Sequence, residues 1–131
     1  MIALDTNVVV RFLVQDDKKQ AEIATRLFNK LTEQEPGYIC REVIIEVVWV
    51  LERAYRLTAK QIAPAIEGLI SSKELIVENA ERVAVALNKI QEGGAGFSDR
   101  MILLASIDAQ CTGLATFDKS LGKDDGVILL K

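Results

Sequence analysis

Four carboxylates stand where the apolar pattern around them gives a charge no obvious place. Asp5 closes the run Met1-Ile2-Ala3-Leu4, and Asp118 closes Leu114-Ala115-Thr116-Phe117 in the same way. Asp99 heads a stretch of helical apolar spacing that follows Ser98, and Glu46 is the one charge between Val43 and Leu51. Acids brought to one place repel each other, and a hard divalent cation relieves this by taking their oxygens as ligands. Mg²⁺ favours near-octahedral oxygen, and Mn²⁺ accepts similar donors. Such an ion polarises a phosphoryl oxygen and lowers the pKa of a bound water; two of them about 3.5–4 Å apart clamp the attacking and leaving oxygens of an in-line displacement. That is the chemistry of phosphodiester cleavage, and it needs no imidazole.

The chain has no imidazole to offer. With 0 histidines, Ser-His-Asp and Cys-His machinery, histidine-paired nucleases and zinc sites with His ligands are all excluded. Acids and bases must then come from carboxylates, lysines, hydroxyls or metal-bound water. Cys40 and Cys111 make neither a CxxC pair nor a disulfide framework and read as inert thiols.

For remote acids to meet, the elements between them must return the chain repeatedly to one edge. Residues 2 to 5 read as a strand, and Asp5 or Thr6 caps a short helix over Val8 to Val14. Asp16 and Asp17 open a helix whose Ala21, Ala24, Leu27, Phe28 and Leu31 share a face; Pro36-Gly37 ends it. A second strand over Tyr38 to Cys40 precedes a long helix from Arg41 to Arg56, and Thr58 caps the next, which Pro64 should kink or delay. Leu75 to Val77 is a third strand, after which Asn79 caps a helix carrying Val83, Leu87 and Ile90. Beyond Gly93, Gly94 and Gly96, Ser98 caps a helix from Asp99 to about Gln110 that Gly113 ends; Leu114 to Phe117 and Val127 to Leu130 are the last strands. This alternation predicts an α/β fold of three layers, helices on both faces of a central, mainly parallel sheet of about four to five strands. The 131 residues are expected to form a single domain with a substantial core.

In such a sheet ligands bind outside the carboxyl ends of the strands, where helix N-termini also point. Asp5 and Asp118 lie at two such ends, Asp99 starts the helix leading into the Asp118 strand, and Glu46 is expected to be at least partly buried on a helix apolar nearly all round. Plainer uses stay open for each. Asp5 could be only a cap, Asp118 an Asx-turn former before Lys119-Ser120, Asp99 a partner of the helix dipole, and Glu46 the partner of Arg53.

The motifs "LDTNV", "EVVWVLER" around Glu46, "GFSDRMILLAS" at residues 96 to 106 and "ATFDKSL" at 115 to 121 resemble, in order and separation, the PIN-domain ribonucleases, and within them the VapC-type toxins of prokaryotic toxin-antitoxin pairs. The resemblance runs over the whole chain. It implies a Mg²⁺- or Mn²⁺-dependent endoribonuclease with catalytic acids at Asp5, Glu46, Asp99 and Asp118. Asp5, Asp99 and Asp118 would hold metal, and Thr6, Asn7 and Thr116 would order the site. It also implies a homodimer, an antitoxin partner and structured RNA as substrate.

Two departures qualify that pattern. Some relatives carry a further acid one helical turn after the third, where this chain has Leu103, so one well-held ion is expected. The formal charge is −3, whereas RNA binding draws on basic surface. A metal would invert the charge at the acidic rim, with Arg11, Arg41, Arg100, Lys119 and Lys123 as candidate flanking cations. No apolar run reaches the ~20 residues that span a bilayer, and the N-terminus lacks a secretion signal, so a cytoplasmic protein without membrane contact is expected. Two other functions are weighed. An aspartyl-phosphate transferase is disfavoured because Asn7 stands where a second acid is wanted; a non-catalytic PIN-like module binding protein or RNA is the retained alternative.

Overall fold

Strand and helix alternate along the chain as the periodicity requires. The computed structural model describes residues 1–131, with five strands and six helices. All strand pairings are parallel, which gives the expected α/β class. The contacts divide the chain into two compact units, Met1–Ala80 and Glu81–Lys131.

The first unit contains β1 (Ile2–Ala3), α1 (Thr6–Leu13), α2 (Lys18–Lys30), β2 (Gly37–Ile39), α3 (Arg41–Arg53), α4 (Ala59–Ser71) and β3 (Leu75–Val77). Its ladder runs β1-β2-β3, with Ile2 beside Gly37 and Gly37 beside Leu75. Glycine at position 37 lets three leucines close over β2: a Cβ there would meet the terminal methyls of Leu31, Leu4 and Leu75 at 2.9 to 3.0 Å and require them to shift. Burial alternates along β2 and β3, with Ile39, Leu75 and Val77 inside while Ile76 is exposed. The first strand departs from expectation, since Ile2 and Ala3 are both exposed and only Leu4, beyond the strand, is buried.

Helix α3 is the centre of this unit's core. Ile44, Val47, Val48 and Leu51 are buried at three- and four-residue spacing, each side chain contributing about 1.5–3 kcal/mol by leaving water. Helix α1 packs against both α3 and α2, and Phe12 stacks on Phe28 with ring centroids 3.8 Å apart. Helix α4 runs unbroken through Pro64. A full capping box secures its first turn: Gln61 N donates to Thr58 Oγ1 at 3.3 Å, and Thr58 N donates to Gln61 Oε1 at 2.9 Å. The proline therefore enters a helix already nucleated.

The second unit contains α5 (Ala80–Ile90, whose first residue closes the first unit), α6 (Phe97–Asp108), β4 (Leu114–Thr116) and β5 (Val127–Leu129). Strands β4 and β5 pair in register from Leu114–Val127 to Thr116–Leu129. Ala95, Leu103 and Leu121 form a buried cluster with Leu114 and Val127 packed against it. Both ends of α6 move, and the cap expected at Asn79 takes another conformation. Helix α6 begins at Phe97 behind a Gly96 cap rather than at Asp99 behind Ser98, and Gln110, at φ 63°, takes the left-handed exit assigned to Gly113. Asn79 is itself left-handed at φ 54°, and its side-chain oxygen accepts from Arg41 Nη1 at 3.1 Å. Each shift follows from a local hydrogen bond or dihedral that spacing does not encode.

Candidate active site

Asp5 sits between β1 and α1 with extended backbone, and its Oδ1 accepts from Thr6 N at 2.8 Å. The carboxylate thus caps α1 with one oxygen and retains the other. Thr6, on the first residue of α1, is buried, and Asn7 beside it is exposed. Helix α3 packs on α1, and this brings Glu46 to the same place. Asp5, Thr6, Asn7, Val10, Arg11 and Glu46, with Val50, Ala54 and Tyr55, line one pocket of about 280 Å³. Two acids from distant segments therefore share a cavity within the first unit.

Glu46 departs from expectation in its burial. The buried stripe of α3 passes through Ile44, Val47, Val48 and Leu51 and leaves Glu46 on the exposed side, with Trp49 57% exposed. An apolar helix surface need not all be covered, and here the residues around the acid form its open flank. Nor does Arg53 pair with Glu46; its guanidinium lies 5.9 Å from the Trp49 ring centroid instead.

The pocket's one cation is held by a small polar network. Arg11 Nε donates to Gln20 Oε1 at 2.7 Å, and Nη1 donates to Asp16 Oδ1 at 3.1 Å and to Tyr55 Oη at 3.2 Å. The Tyr55 hydroxyl in turn donates to Asp16 Oδ2 at 2.9 Å. That donated bond lowers the Asp16 pKa, and the Tyr55 hydroxyl is raised, first by burial and then by Asp16. Sequence reasoning assigned Asp16 to opening α2 and gave Tyr55 no role. The signal was the doubled acid: Asp17 alone caps α2, accepting from Gln20 N at 3.0 Å, which leaves Asp16 surplus to that task.

In the second unit Asp99 is the third residue of α6, in the first turn and half-buried. Asp118 follows β4 and is exposed; its Oδ1 accepts from Ser120 N at 2.8 Å and Ser120 Oγ at 2.6 Å, which lowers its pKa. Asp118 N donates to Thr116 Oγ1 at 3.0 Å, so Thr116 shapes the turn that carries the acid. The Asx turn left open by the sequence is formed. A pocket of about 310 Å³ in this unit is lined by Arg100, Leu103, Lys123, Asp124 and others, but by neither Asp99 nor Asp118.

Arg100 is not a flanking cation. It is 7% exposed, it donates to the carbonyls of Gly93 and Ala95, and it pairs with Asp124. Arg41 is engaged by Glu42 and Asn79, while Lys119 and Lys123 are exposed. Leu103 is buried in the apolar cluster, so the turn after Asp99 supplies packing, not a ligand.

The donor set in the first unit suits a hard cation. Asp5 and Glu46 are carboxylates, and neither is neutralised by an ion pair within its unit; the same holds for Asp99 and Asp118 in theirs. Neither unit by itself gathers three acidic or thiol side chains closely enough to enclose an ion.

The comparisons with known proteins now bear on this pocket. The PIN domain family model matches residues 2–125. The chain belongs to the PIN domain family. It is 28% identical over 115 residues to a VapC ribonuclease of Aquifex aeolicus (strain VF5), covering 87% of this chain and 82% of that protein. The family-model match extends across Asp5, Glu46, Asp99 and Asp118. No helix of this PIN domain is long and apolar enough to cross a membrane.

Proposed function

We infer that this chain is a divalent-metal-dependent endoribonuclease and the toxin of a toxin-antitoxin pair. The observation that carries the reading is the pocket of the first unit, where Asp5 and Glu46, unpaired with any cation, converge in a PIN-family chain similar to a VapC ribonuclease. Asp5, Asp99 and Asp118 would hold Mg²⁺ or Mn²⁺, and Glu46 would face the attacking water as the fourth acid. When bound, the ion supplies polarisation of a phosphoryl oxygen and a lowered water pKa. The chain's own residues do the rest. Asp5 spends one oxygen on the α1 cap, which fixes the direction of the other. Thr6 and Asn7 extend the polar wall beside it, and Thr116 sets the turn from which Asp118 projects.

The partners follow from the same reading. The RNA phosphodiester backbone is the substrate, a cognate antitoxin protein is the inhibitor, a homodimer is the working assembly, and the cytoplasm is the location.

The direct test is cleavage. Purified protein cuts a tRNA and rRNA mixture with Mg²⁺ or Mn²⁺, stops in EDTA, and loses at least about 10³-fold in rate in Asp5→Asn or Asp99→Asn, a cost typical of removing a group that acts as part of a catalytic unit. Circular dichroism of the variants should match the parent. Cutting that survives EDTA, or variants as active as the parent, refutes the reading.

A further inference from the structure

We propose that Arg11 is a substrate-phosphate contact of this pocket, held ready by Asp16, Tyr55 and Gln20. The proposal rests on the nuclease reading above and names the group that engages the nucleic acid. Three observations support it. Arg11 is the only cation among the residues lining the pocket that holds Asp5 and Glu46. Its hydrogen bonds use Nε and Nη1, none uses Nη2, and its side chain keeps 31% of its exposure. The two N–H groups of Nη2 are therefore left on a guanidinium whose other nitrogens are fixed, and a charge-assisted donor of that kind suits a single phosphate oxygen.

The network also answers the problem posed by a net charge of −3. A protein with this balance gains little from diffuse basic surface, so a phosphate must be met by individually placed cations. Arg100, by contrast, spends its guanidinium on two carbonyls and Asp124. Arg11 pairs with Asp16 through Nη1 alone, and Tyr55, which binds both groups at once, fixes that pair while Nη2 stays unengaged. Tyr55 is therefore a positioning residue, acting through the arginine. Ordering such a long side chain in advance removes the rotamer cost that binding would otherwise carry.

The test measures binding and cleavage separately. Affinity for unfractionated tRNA is measured against KCl concentration in the Asp99→Asn background, where cutting is removed. Adding Arg11→Met should lower the slope of log Kd against log salt by about 0.7–0.9, the value of one phosphate contact. Adding Arg26→Met, an exposed arginine of α2 outside the pocket, should leave it unchanged. In the otherwise native protein Arg11→Met should lower kcat/KM about 100-fold, the scale for one preorganised donor. Arg11→Lys keeps the charge, but an ammonium has only three donors and cannot bond Gln20, Asp16 and Tyr55 while keeping one free for phosphate, so it should preserve the salt slope while losing at least 10-fold in kcat/KM; it decides the matter if Arg11→Met does not fold. Tyr55→Phe should lower kcat/KM less than Arg11→Met and leave the slope in place. An unchanged slope in Arg11→Met, an equal fall in Arg26→Met, or full activity in Arg11→Lys overturns the assignment. Failure of the native protein to cut any RNA instead overturns the nuclease reading, and the slopes still report whether Arg11 meets phosphate.

Discussion

Two arginine–aspartate pairs, one in each unit, show how burial decides what the same chemistry is for. Arg100 and Asp124 have side chains 8% and 29% exposed, whereas Arg11 and Asp16 are 31% and 47% exposed. Arg100 ties Gly93 and Ala95 to the segment after β4, and every bond it makes is internal to the unit. A charge that deep costs several kcal/mol to desolvate, and its partners offset that cost only while all of them remain. Arg11 loses little solvation where it stands, so its hydrogen bonds orient it more than they hold the fold together. One pair fixes the approach to Asp99; the other keeps a cation beside Asp5 and Glu46.

The contrast predicts opposite outcomes for matched substitutions. Asp124→Asn leaves the Arg100 guanidinium buried without its counter-charge and should destabilise the protein by about 3 kcal/mol. Chemical denaturation would register this as a lower midpoint with an unchanged slope. Arg11→Met should cost less than about 1 kcal/mol in the same experiment, because the pair it breaks is largely solvated. Equal losses from the two substitutions would erase the distinction, and a large loss at Arg11 alone would reverse it.

The pattern in the sequence carried the order of elements well and their ends less well. Helix α3 was legible because four buried residues at helical spacing outweigh any cap. The start of α6 was not, since Gly96 caps it without a side chain and Ser98 is the better capping type on composition alone. Among the acids, "LDTNV" pointed to Asp5 and Thr6 because a charge after an apolar strand needs a reason, and both line the pocket. The burial expected of Glu46 was misjudged for a physical reason. Apolar residues on all sides of a helix show that water is avoided somewhere, but not which side a neighbouring element covers. The Arg11 network lay further from view: its members, Arg11, Asp16, Gln20 and Tyr55, come from three stretches of chain, and a hydroxyl shared between two charges leaves no spacing to read.

The smallest effect gives the finest comparison. Asp16 is held below its ordinary value of 3.8 chiefly by the Tyr55 hydroxyl, and Asp118 below the same value chiefly by Ser120. A carboxylate with a lowered folded pKa stabilises the protein fully above its unfolded value; that contribution disappears as pH falls through the lowered one. Stability should therefore decline below about pH 3.8 partly through these two groups. Tyr55→Phe should flatten the acid limb through Asp16, and Ser120→Ala should flatten it through Asp118, each measured as the difference from the parent in denaturation midpoint at successive pH values. Because the two acids lie in separate units and share no partner, the double variant should show the sum of the two changes. A curve for Tyr55→Phe parallel to the parent at every pH would mean that the hydroxyl does not select the charged form of Asp16, and the orientation of Arg11 would then have to come from Asp16 and Gln20 without it.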